Sequence, residues 1–384
     1  MTFLRKHFRR ACAATGAGLV VSAMAPAMTA AAATPGTSPG SVVGGRLYDV
    51  AAASASNVWA VGLNDGGSLI MHWNGAAWSS LSENEGGFLY RVATTGASNA
   101  WAVGGTDWFS PATLIYHWDG TAWTRQASPN PPSGGYFEGV AAASASDAWA
   151  VGEYGTGGPG NDTGLADRTL IEHWNGSSWA TVPSPVTPGP AGALSGVSVV
   201  SPDDAWAVGW TGDGSSTFSA LTEHWNGTAW TVVPVPAAAG TGVDPESVVA
   251  VSADDVWAVG LTTGPGPSRN VILHWNGTSW KRSAVPAGSR TGILHGVTAS
   301  SAGNVWAVGQ TYNSAGNCGP TCQTSTLHYN GCMWSRVPSP NPGNAYLNVL
   351  FGAAIISRSD VWAVGSTNYE TTLILHWNGT SWSA

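Results

Sequence analysis

The stretch "SDVWAVGSTNYETTLILHWNGTSW", Ser359 to Trp382, contains the unit from which most of the chain is built. It combines a Trp-Ala-Val-Gly segment, a His-Trp pair, and an Asn-Gly pair that is followed by another tryptophan. Nearly the same unit occurs six more times between Ser56 and Trp334. Its first tryptophan recurs about every 50 residues, a spacing typical of propeller blades. These tryptophans are Trp59, Trp101, Trp149, Trp206, Trp257, Trp306 and Trp362.

Each unit predicts four short strands, which we name A to D. Between Leu194 and Pro236 the segments "GVSVVS", "AWAVG", "ALTEHW" and "AWTVVPV" all have the composition of β-strands. The Asn-Gly pair between strands C and D is a strong hairpin signal, because a type I′ turn needs positive φ at both of its central positions. Seven such units predict an all-β fold, a seven-bladed β-propeller with four antiparallel strands per blade. The predicted blades cover approximately residues 43–87, 88–133, 134–190, 191–241, 242–291, 292–343 and 344–384.

The repeated tryptophans and histidines are predicted to be structural. Blades stack face to face, so both faces of strands B and C can be apolar, and tryptophan rings can fill the space between blades. Sevenfold repetition spreads the histidines around the ring, so they cannot converge on one metal ion. The histidines are His72, His117, His173, His224, His274, His328 and His376. We expect each to hydrogen-bond to an acid or amide near the A–B turn, namely Asn57, Asn99, Asp147, Asp204, Asp255, Asn304 or Asp360.

The composition argues against nucleic-acid binding. Charged residues make up 9% of the chain, and the formal net charge is −8 at pH 7. Four of the cations, Arg5, Lys6, Arg9 and Arg10, lie near the N-terminus, and the chain without them carries a formal charge of −12. No basic stripe remains that could neutralise phosphate groups.

The N-terminus has the pattern of an export signal. "MTFLRKHFRR" is cationic, the stretch that follows is mildly apolar, and "TAAAA" offers small residues for cleavage. We predict a signal peptide over residues 1–33, a linker or closing strand over 34–42, and a secreted, extracellular protein. The Arg9-Arg10 pair leaves both the general and the twin-arginine export routes open. No later segment has enough consecutive apolar residues to span a membrane.

Three cysteines, Cys318, Cys322 and Cys332, follow the predicted signal peptide, and all lie in the sixth unit. Because exported proteins commonly contain disulfides, we expect Cys318 and Cys322 to staple the loop in which both lie. The alternative is a zinc site that combines the three cysteines with His328, which is the less expected arrangement in an exported chain.

The unit resembles the kelch repeat over Val43 to Ala384. As in kelch units, an apolar strand is followed by a second strand that ends in glycine, with a Gly-Gly pair at Gly104 and Gly105. The third strand carries an aromatic residue, here the Trp of His-Trp or Tyr329, and a Trp opens the fourth strand. The resemblance implies a seven-bladed propeller. It implies no activity, because propellers serve both as binding proteins and as enzymes.

Ring closure is predicted to involve the N-terminal end of the propeller. The final strand, "SWSA", is short, and we expect "SVVGG", Ser41 to Gly45, to pair beside it.

The B–C and D–A loops share one face of a propeller, and they are the segments that vary most among the seven units. Loops on a rigid scaffold are where binding residues usually lie. We expect this face to carry six of the aromatic residues that fall outside the repeated positions, which either form an exposed sugar-binding surface or cover the blade ends: Trp108, Phe109, Tyr154, Trp210, Phe218 and Tyr312. Asp162 and Asp167 offer a calcium site without the spacing of a recognised loop. No other metal and no cofactor is predicted.

The sequence favours binding over catalysis, because no pair of loop acids stands out and His295 is the only histidine outside the repeated positions after the signal. We expect a non-catalytic, monomeric propeller that binds a polysaccharide or an extracellular protein. Two alternatives stay open. One is a structural surface or matrix protein, and the other is a hydrolase or lyase acting on glycans, which would need two carboxyls about 5–10 Å apart.

Overall fold

The structure is a computed structural model that describes residues 43–82, 86–107, 111–155, 168–185, 189, 191–212, 218–236, 241–313, 322–342 and 346–384. These residues form seven four-stranded antiparallel sheets, and no helix occurs among them. The predicted all-β, seven-bladed propeller is therefore confirmed. Within the described part of the chain, no helix has the length and apolar character needed to cross a bilayer.

The strands follow the chain blade by blade. Blade 1 contains β1 (Arg46–Ser54), β2 (Asn57–Asn64), β3 (Gly67–Trp73) and β4 (Trp78–Ser82). Blade 2 contains β5 (Phe88–Gly96), β6 (Asn99–Gly105), β7 (Thr113–Trp118) and β8 (Trp123–Arg125). Blade 3 contains β9 (Gly135–Ser144), β10 (Asp147–Tyr154), β11 (Arg168–Trp174) and β12 (Trp179–Thr181). Blade 4 contains β13 (Ala191–Ser201), β14 (Asp204–Gly212), β15 (Ser219–Trp225) and β16 (Trp230–Val232).

The last three blades repeat the same pattern. Blade 5 contains β17 (Gly242–Ser252), β18 (Asp255–Thr263), β19 (Asn270–Trp275) and β20 (Trp280–Arg282). Blade 6 contains β21 (Gly292–Ser301), β22 (Asn304–Thr311), β23 (Gln323–Tyr329) and β24 (Trp334–Arg336). Blade 7 contains β25 (Asn348–Ser357), β26 (Asp360–Thr367), β27 (Thr371–Trp377) and β28 (Trp382–Ser383).

Strand A is the innermost strand of every blade. In each sheet the spatial order is A-B-C-D, so strands A and D are the two edges. The A strands of consecutive blades contact one another around the ring, and β25 of blade 7 contacts β1 of blade 1. The seven A strands therefore surround a central channel, and the D strands lie on the outer rim.

Tryptophan side chains fill the space between blades, as the sequence predicts. The ring centroid of Trp101 in blade 2 lies 5.1 Å from those of Trp174 and Trp179 in blade 3. The same arrangement joins blade 7 to blade 1, where Trp362 lies 5.2 Å from Trp73 and 5.3 Å from Trp78. Blade 7 thus packs on blade 1 in the same way as the other blades pack on their neighbours.

The seven repeated histidines make the predicted hydrogen bonds. The Nε2 atom of each histidine donates to the side-chain oxygen of its predicted partner, with distances from 2.8 Å for His117–Asn99 to 3.0 Å for His72–Asn57. Each imidazole also packs against the first tryptophan of its blade, with centroids 3.9 Å apart for Trp257 and His274. These histidines therefore fix the position of the buried tryptophan and are structural.

The C–D hairpin is confirmed, but the predicted turn type is wrong. Only the glycine of each Asn-Gly pair has positive φ, as at Gly75, where φ is 94°. The asparagine instead uses its side chain, and Asn74 Oδ1 accepts hydrogen bonds from the backbone N–H groups of Ala76 and Ala77. The connection is a four-residue loop held by an Asx turn, which a short polar side chain can form without positive φ.

The ring closes at a different strand from the one predicted. Gly45 N donates to Glu370 O at 2.7 Å, and Thr372 N donates to Val43 O at 3.0 Å. Residues 43–45 therefore pair with the start of strand C of blade 7, not with β28. Similar contacts join the segments before other A strands to the preceding blade, for example Cys322 N donating to Tyr346 O. Ser41 and Val42, the first two residues of the predicted closing segment, lie outside the described residues.

Cys322 is disulfide-bonded, and Cys332 is a free, exposed thiol. Cys332 is therefore not the partner of Cys322. Cys318, the partner predicted from the sequence, lies outside the described residues. No group of three or more histidine, cysteine or acidic side chains suited to a metal ion occurs in the part of the chain that the structure describes. The calcium candidates Asp162 and Asp167 lie outside that part.

Candidate binding site in the central channel

The aromatic residues predicted to bind ligands do not form one exposed surface. Trp210 is only 5% exposed and packs on Phe218 with ring centroids 4.6 Å apart. Tyr312 is 7% exposed, and Tyr154 packs against the apolar cluster between blades 2 and 3. The prediction of exposed rings is therefore wrong for Trp210 and Tyr312, which cover the ends of their blades. Trp108 and Phe109 lie outside the described residues.

A β-bulge near the start of every strand A creates a position that the repeat pattern does not reveal. In β1, for example, Leu47 pairs with Gly62 and Asp49 pairs with Val61, so Tyr48 is left between them. Such bulges bend a strand and re-aim a side chain. The seven bulged residues differ from blade to blade: Tyr48, Tyr90, Glu138, Ser195, Glu246, His295 and Phe351.

Four of the bulged residues form a continuous arc of rings around the channel. The centroids lie 5.1 Å apart for His295 and Phe351, 5.3 Å for Phe351 and Tyr48, and 5.1 Å for Tyr48 and Tyr90. Tyr136 of blade 3 extends the arc at 5.9 Å from Tyr90. We call these five side chains the aromatic arc. Its contacts cross the boundaries between blades 6, 7, 1, 2 and 3, so no single repeat contains it.

The remaining bulged residues give the other side of the channel a different chemistry. Glu138, Ser195 and Glu246 occupy the bulge position in blades 3, 4 and 5. The two glutamates are partly exposed, whereas Ser195 is buried. The channel wall is therefore aromatic on one side and carries carboxylates on the other.

Arg91 supplies a positive charge at the same place. Its Nη1 donates to Tyr90 O and its Nη2 to Glu246 O, both at 3.3 Å, so the side chain runs from blade 2 to blade 5. Asp49 lies nearby and accepts a hydrogen bond from Val92 N at 3.0 Å. Arg91 and Asp49 thus place opposite charges next to bulged residues of the aromatic arc.

Burial shifts the pKa values of the acid and the histidine in this region. It raises the pKa of Asp49 to about 6, although the positive charge of Arg91 and the hydrogen bond from Val92 oppose the rise. Burial lowers the pKa of His295 to about 3, and the charge of Arg91 lowers it further. His295 is therefore neutral at pH 7 and only weakly basic. Its Nε2 has no hydrogen-bond partner among the described residues.

Tyr369 lies between β26 and β27, packs against the cluster that includes Tyr48 and Phe351, and has an unusual backbone conformation. Asn368 and Tyr369 have φ values of 52° and 58°, a left-handed conformation that is rare for a bulky residue. Arg46 Nε donates to Tyr369 O at 2.6 Å, and the guanidinium carbon lies 4.8 Å from the centroid of the Tyr369 ring. Burial raises the pKa of Tyr369, so its phenol is protonated at neutral pH. Costly backbone conformations of this kind cluster at functional sites.

The arrangement is suited to binding more than to acid–base catalysis. Tyr90 is the one partly exposed ring of the aromatic arc, and it can pack on the ring of a ligand. The partly exposed side chains of Glu138, Glu246 and Arg91 can hydrogen-bond to hydroxyl groups at the edge of such a ring. A general base works best when its pKa is near the working pH, and His295 is far from that condition. Asp49 has a suitable pKa, but one of its oxygens already accepts the hydrogen bond from Val92.

Comparisons with known proteins support the fold and leave the family open. No protein-family model matches the chain. No curated protein matches it either. Among solved structures it is similar to YCF48 bound to a D1 peptide, with 13% identity, a TM-score of 0.53, and coverage of 90% of this chain and 99% of that one.

Two lyases have the same overall architecture. An ulvan lyase of polysaccharide lyase family PL25 is 11% identical, with a TM-score of 0.57 and coverage of 88% of this chain and 95% of that one. Virginiamycin B lyase from Staphylococcus aureus is 12% identical, with a TM-score of 0.54 and coverage of 86% and 96%. Likeness at this level of identity establishes the propeller fold and no activity.

Proposed function

We propose that the chain is a binding propeller that holds a saccharide at the central channel. The observation that carries this proposal is a group of partly exposed side chains at one level of the channel. Tyr90, the partly exposed member of the aromatic arc, and Arg91 lie in blade 2, and the Arg91 guanidinium reaches Glu246 of blade 5. A sugar ring has apolar faces and a rim of hydroxyl groups. A tyrosine ring, two carboxylates and a guanidinium, all partly exposed, suit both parts of such a ligand.

The setting of the protein is part of the same proposal. We place the protein outside the cell as a secreted monomer, on the basis of the signal-like residues 1–33. The disulfide at Cys322 fits that location, because disulfides persist in oxidising compartments. The kelch-like description of the repeat is likewise proposed, and it rests on the strand-by-strand match of the sequence.

Tyr90→Ala is expected to weaken saccharide binding by about tenfold or more, which corresponds to about 1.4 kcal/mol. Tyr90 is partly exposed, and its ring lies between Tyr48 and Tyr136 in the aromatic arc. The measurement is the fraction of protein retained by cellulose, chitin, xylan and pectin, followed by titration with soluble oligosaccharides of any polymer that retains it.

The matched control is Tyr346→Ala, because Tyr346 is 58% exposed and lies in a D–A loop outside the aromatic arc. It should bind like the wild type. If no polymer of the panel retained the wild type, saccharide binding would be refuted, and a protein partner or a purely structural role would take its place.

The pKa of Asp49, about 6, keeps glycan hydrolysis or elimination as a second candidate function. Turnover of a retained polymer that is lost in Asp49→Asn would establish it.

A further inference from the structure

A cavity of about 400 Å³ lies between blades 5 and 6 at the outer rim, and we call it the rim pocket. The ring centroids of Trp257 in blade 5 and Tyr329 in blade 6, both in its lining, lie 4.8 Å apart. Of the lining residues only Trp257 and Trp334 are buried, so the rim pocket opens to solvent. Pockets for small organic ligands measure about 300–1,000 Å³. The rim pocket is therefore large enough to hold one such ligand.

Blades 5 and 6 depart from the repeat at four of the positions that line the rim pocket. The D-strand residue that pairs with the repeated histidine is Lys281 in blade 5, but serine, threonine or alanine in the other blades. In blade 6, Tyr329 replaces the tryptophan of the His-Trp pair. Cys332 and Met333 replace residues that are alanine, serine or threonine in every other unit. The repeat therefore does not account for the side chains that two adjacent blades bring together here.

Lys281 lies on the face of blade 5 that meets blade 6. It pairs with His274, and directly opposite residues of an antiparallel pair share one face of the sheet. The His274 ring stacks on Trp257 with centroids 3.9 Å apart, and Trp257 packs on blade 6. Lys281 is exposed, and it forms no ion pair with a described residue. Its ammonium group is therefore free to pair with a ligand.

The lining combines accessible apolar surface with positive charge. Met333 is 64% exposed, and Tyr329 and Val285 are partly exposed. Lys281 and Arg282 bring two positive charges, and none of the described residues that line the rim pocket is acidic. This local excess of positive charge occurs in a chain whose formal net charge is −8. The lining therefore suits a ligand that has an apolar body and a negative charge.

We propose that the rim pocket binds a small aromatic carboxylate. The ring of the ligand packs against Tyr329 and Met333, because aromatic rings and thioether groups both contact aromatic faces favourably. The carboxylate accepts a hydrogen bond from the ammonium group of Lys281, and such charged pairs are stronger than neutral ones. The rim pocket lies on the outside of the ring, away from the central channel, so this proposal does not depend on saccharide binding.

Calorimetric titration with naphthoate and with its neutral analogue naphthylmethanol tests the proposal. Lys281→Ser gives blade 5 the serine of blades 1, 6 and 7. It should raise the Kd of naphthoate by about tenfold or more, since a hydrogen bond to a charged group contributes that much, and leave the Kd of naphthylmethanol unchanged. Arg125→Ser is the matched control, because Arg125 is exposed on strand D of blade 2, and it should change neither Kd. No saturable binding of naphthoate, or the same Kd for naphthoate in Lys281→Ser and the wild type, would overturn the proposal.

Cys332 shows whether naphthoate occupies the rim pocket itself. It is a free, exposed thiol in the lining, so bound naphthoate should slow its alkylation by iodoacetamide, followed by mass spectrometry of the peptide that contains it. Tyr329→Trp restores the larger repeated ring, and it should weaken both the binding and the protection of the thiol. Saturable binding with no change in the alkylation rate would place naphthoate at another site and refute the assignment to the rim pocket.

Discussion

Trp101→Ala is expected to lower the free energy of unfolding by about 3–5 kcal/mol. Trp101 is fully buried, and its ring centroid lies 4.1 Å from that of His117 in its own blade. It also lies 5.1 Å from both Trp174 and Trp179 in the next blade. The substitution removes contacts with two sheets at once and leaves a cavity that two rigid sheets cannot close. Denaturant unfolding followed by circular dichroism measures the loss.

Trp174→Tyr is the matched control for Trp101→Ala, because the sixth unit already has Tyr329 at the equivalent position. Tyr329 lies 4.8 Å from Trp257, much as Trp174 lies 5.1 Å from Trp101. Tyrosine keeps this packing but loses the hydrogen bond from Trp174 Nε1 to Ala145 O, so we expect a loss of about 1 kcal/mol. If both variants lost the same free energy of unfolding, the contribution of Trp101 to stability would not come from packing between the blades.

Contacts within one repeat could be predicted because the residues that make them recur in all seven units. The pairing of His173 with Asp147 is one example, since a histidine and an acid or amide recur together in every unit. A single pair of polar residues would carry little information, because many arrangements would satisfy it. Seven pairs of the same kind must share one geometry, and the hairpin registers of the blade bring the two side chains together.

Details that depend on local backbone geometry were harder to predict. The Asn-Gly pair predicts a hairpin equally well for a type I′ turn and for an Asx turn, because both use a short polar residue before glycine. The site of ring closure depended on a similar choice. Residues 43–45 could pair with β28, the outer edge of blade 7, or with the start of β27. The same kind of contact joins other blades, and it is the start of β27 that residues 43–45 pair with.

The sequence did not predict the aromatic arc, because its residues lie at positions that are not constant among the seven units. Tyr48, Tyr90, His295 and Phe351 occupy one column of the aligned units, but the residue differs in almost every unit. The available signal is that variation itself. In each strand A, the residue just before the bulged residue is buried and usually leucine, as at Leu47 and Leu89. A position that varies next to such a constant one marks side chains whose type is not set by core packing.

Glu172→Leu is expected to raise the free energy of unfolding by about 1–3 kcal/mol at pH 6, because burial of a polar group without a partner costs about that much. Glu172 is fully buried in β11, and neither of its carboxyl oxygens has a hydrogen-bond partner among the described residues. The equivalent positions of blades 5 and 7 contain Leu273 and Leu375, each buried in an apolar cluster between blades. Leucine therefore fits this position in the same fold.

The gain from Glu172→Leu should increase as the pH rises from 6.5 to 8. Burial raises the pKa of Glu172 from 4.5 to about 8, so the folded protein keeps a proton that the unfolded chain releases. Stability from this carboxyl is complete below about pH 4.5 and falls by about 1.4 kcal/mol for each pH unit up to its folded pKa.

Two other buried groups change stability over neighbouring pH ranges. Burial raises the pKa of Glu223 to about 7, opposed by its hydrogen bond from Ser184, so Glu223 adds to the loss of wild-type stability up to that pH. His295 acts in the opposite direction, because its lowered pKa costs stability only as the pH falls below 6.5.

Denaturant titrations at pH 6.5, 7 and 8 should show a steep loss of unfolding free energy for the wild type and a shallower loss for Glu172→Leu. Glu172→Gln separates the two causes, since it removes the titration and keeps the polar group. Parallel pH profiles for the wild type and both variants would show that Glu172 is ionised in the folded protein, and the stability gain would then come from packing alone.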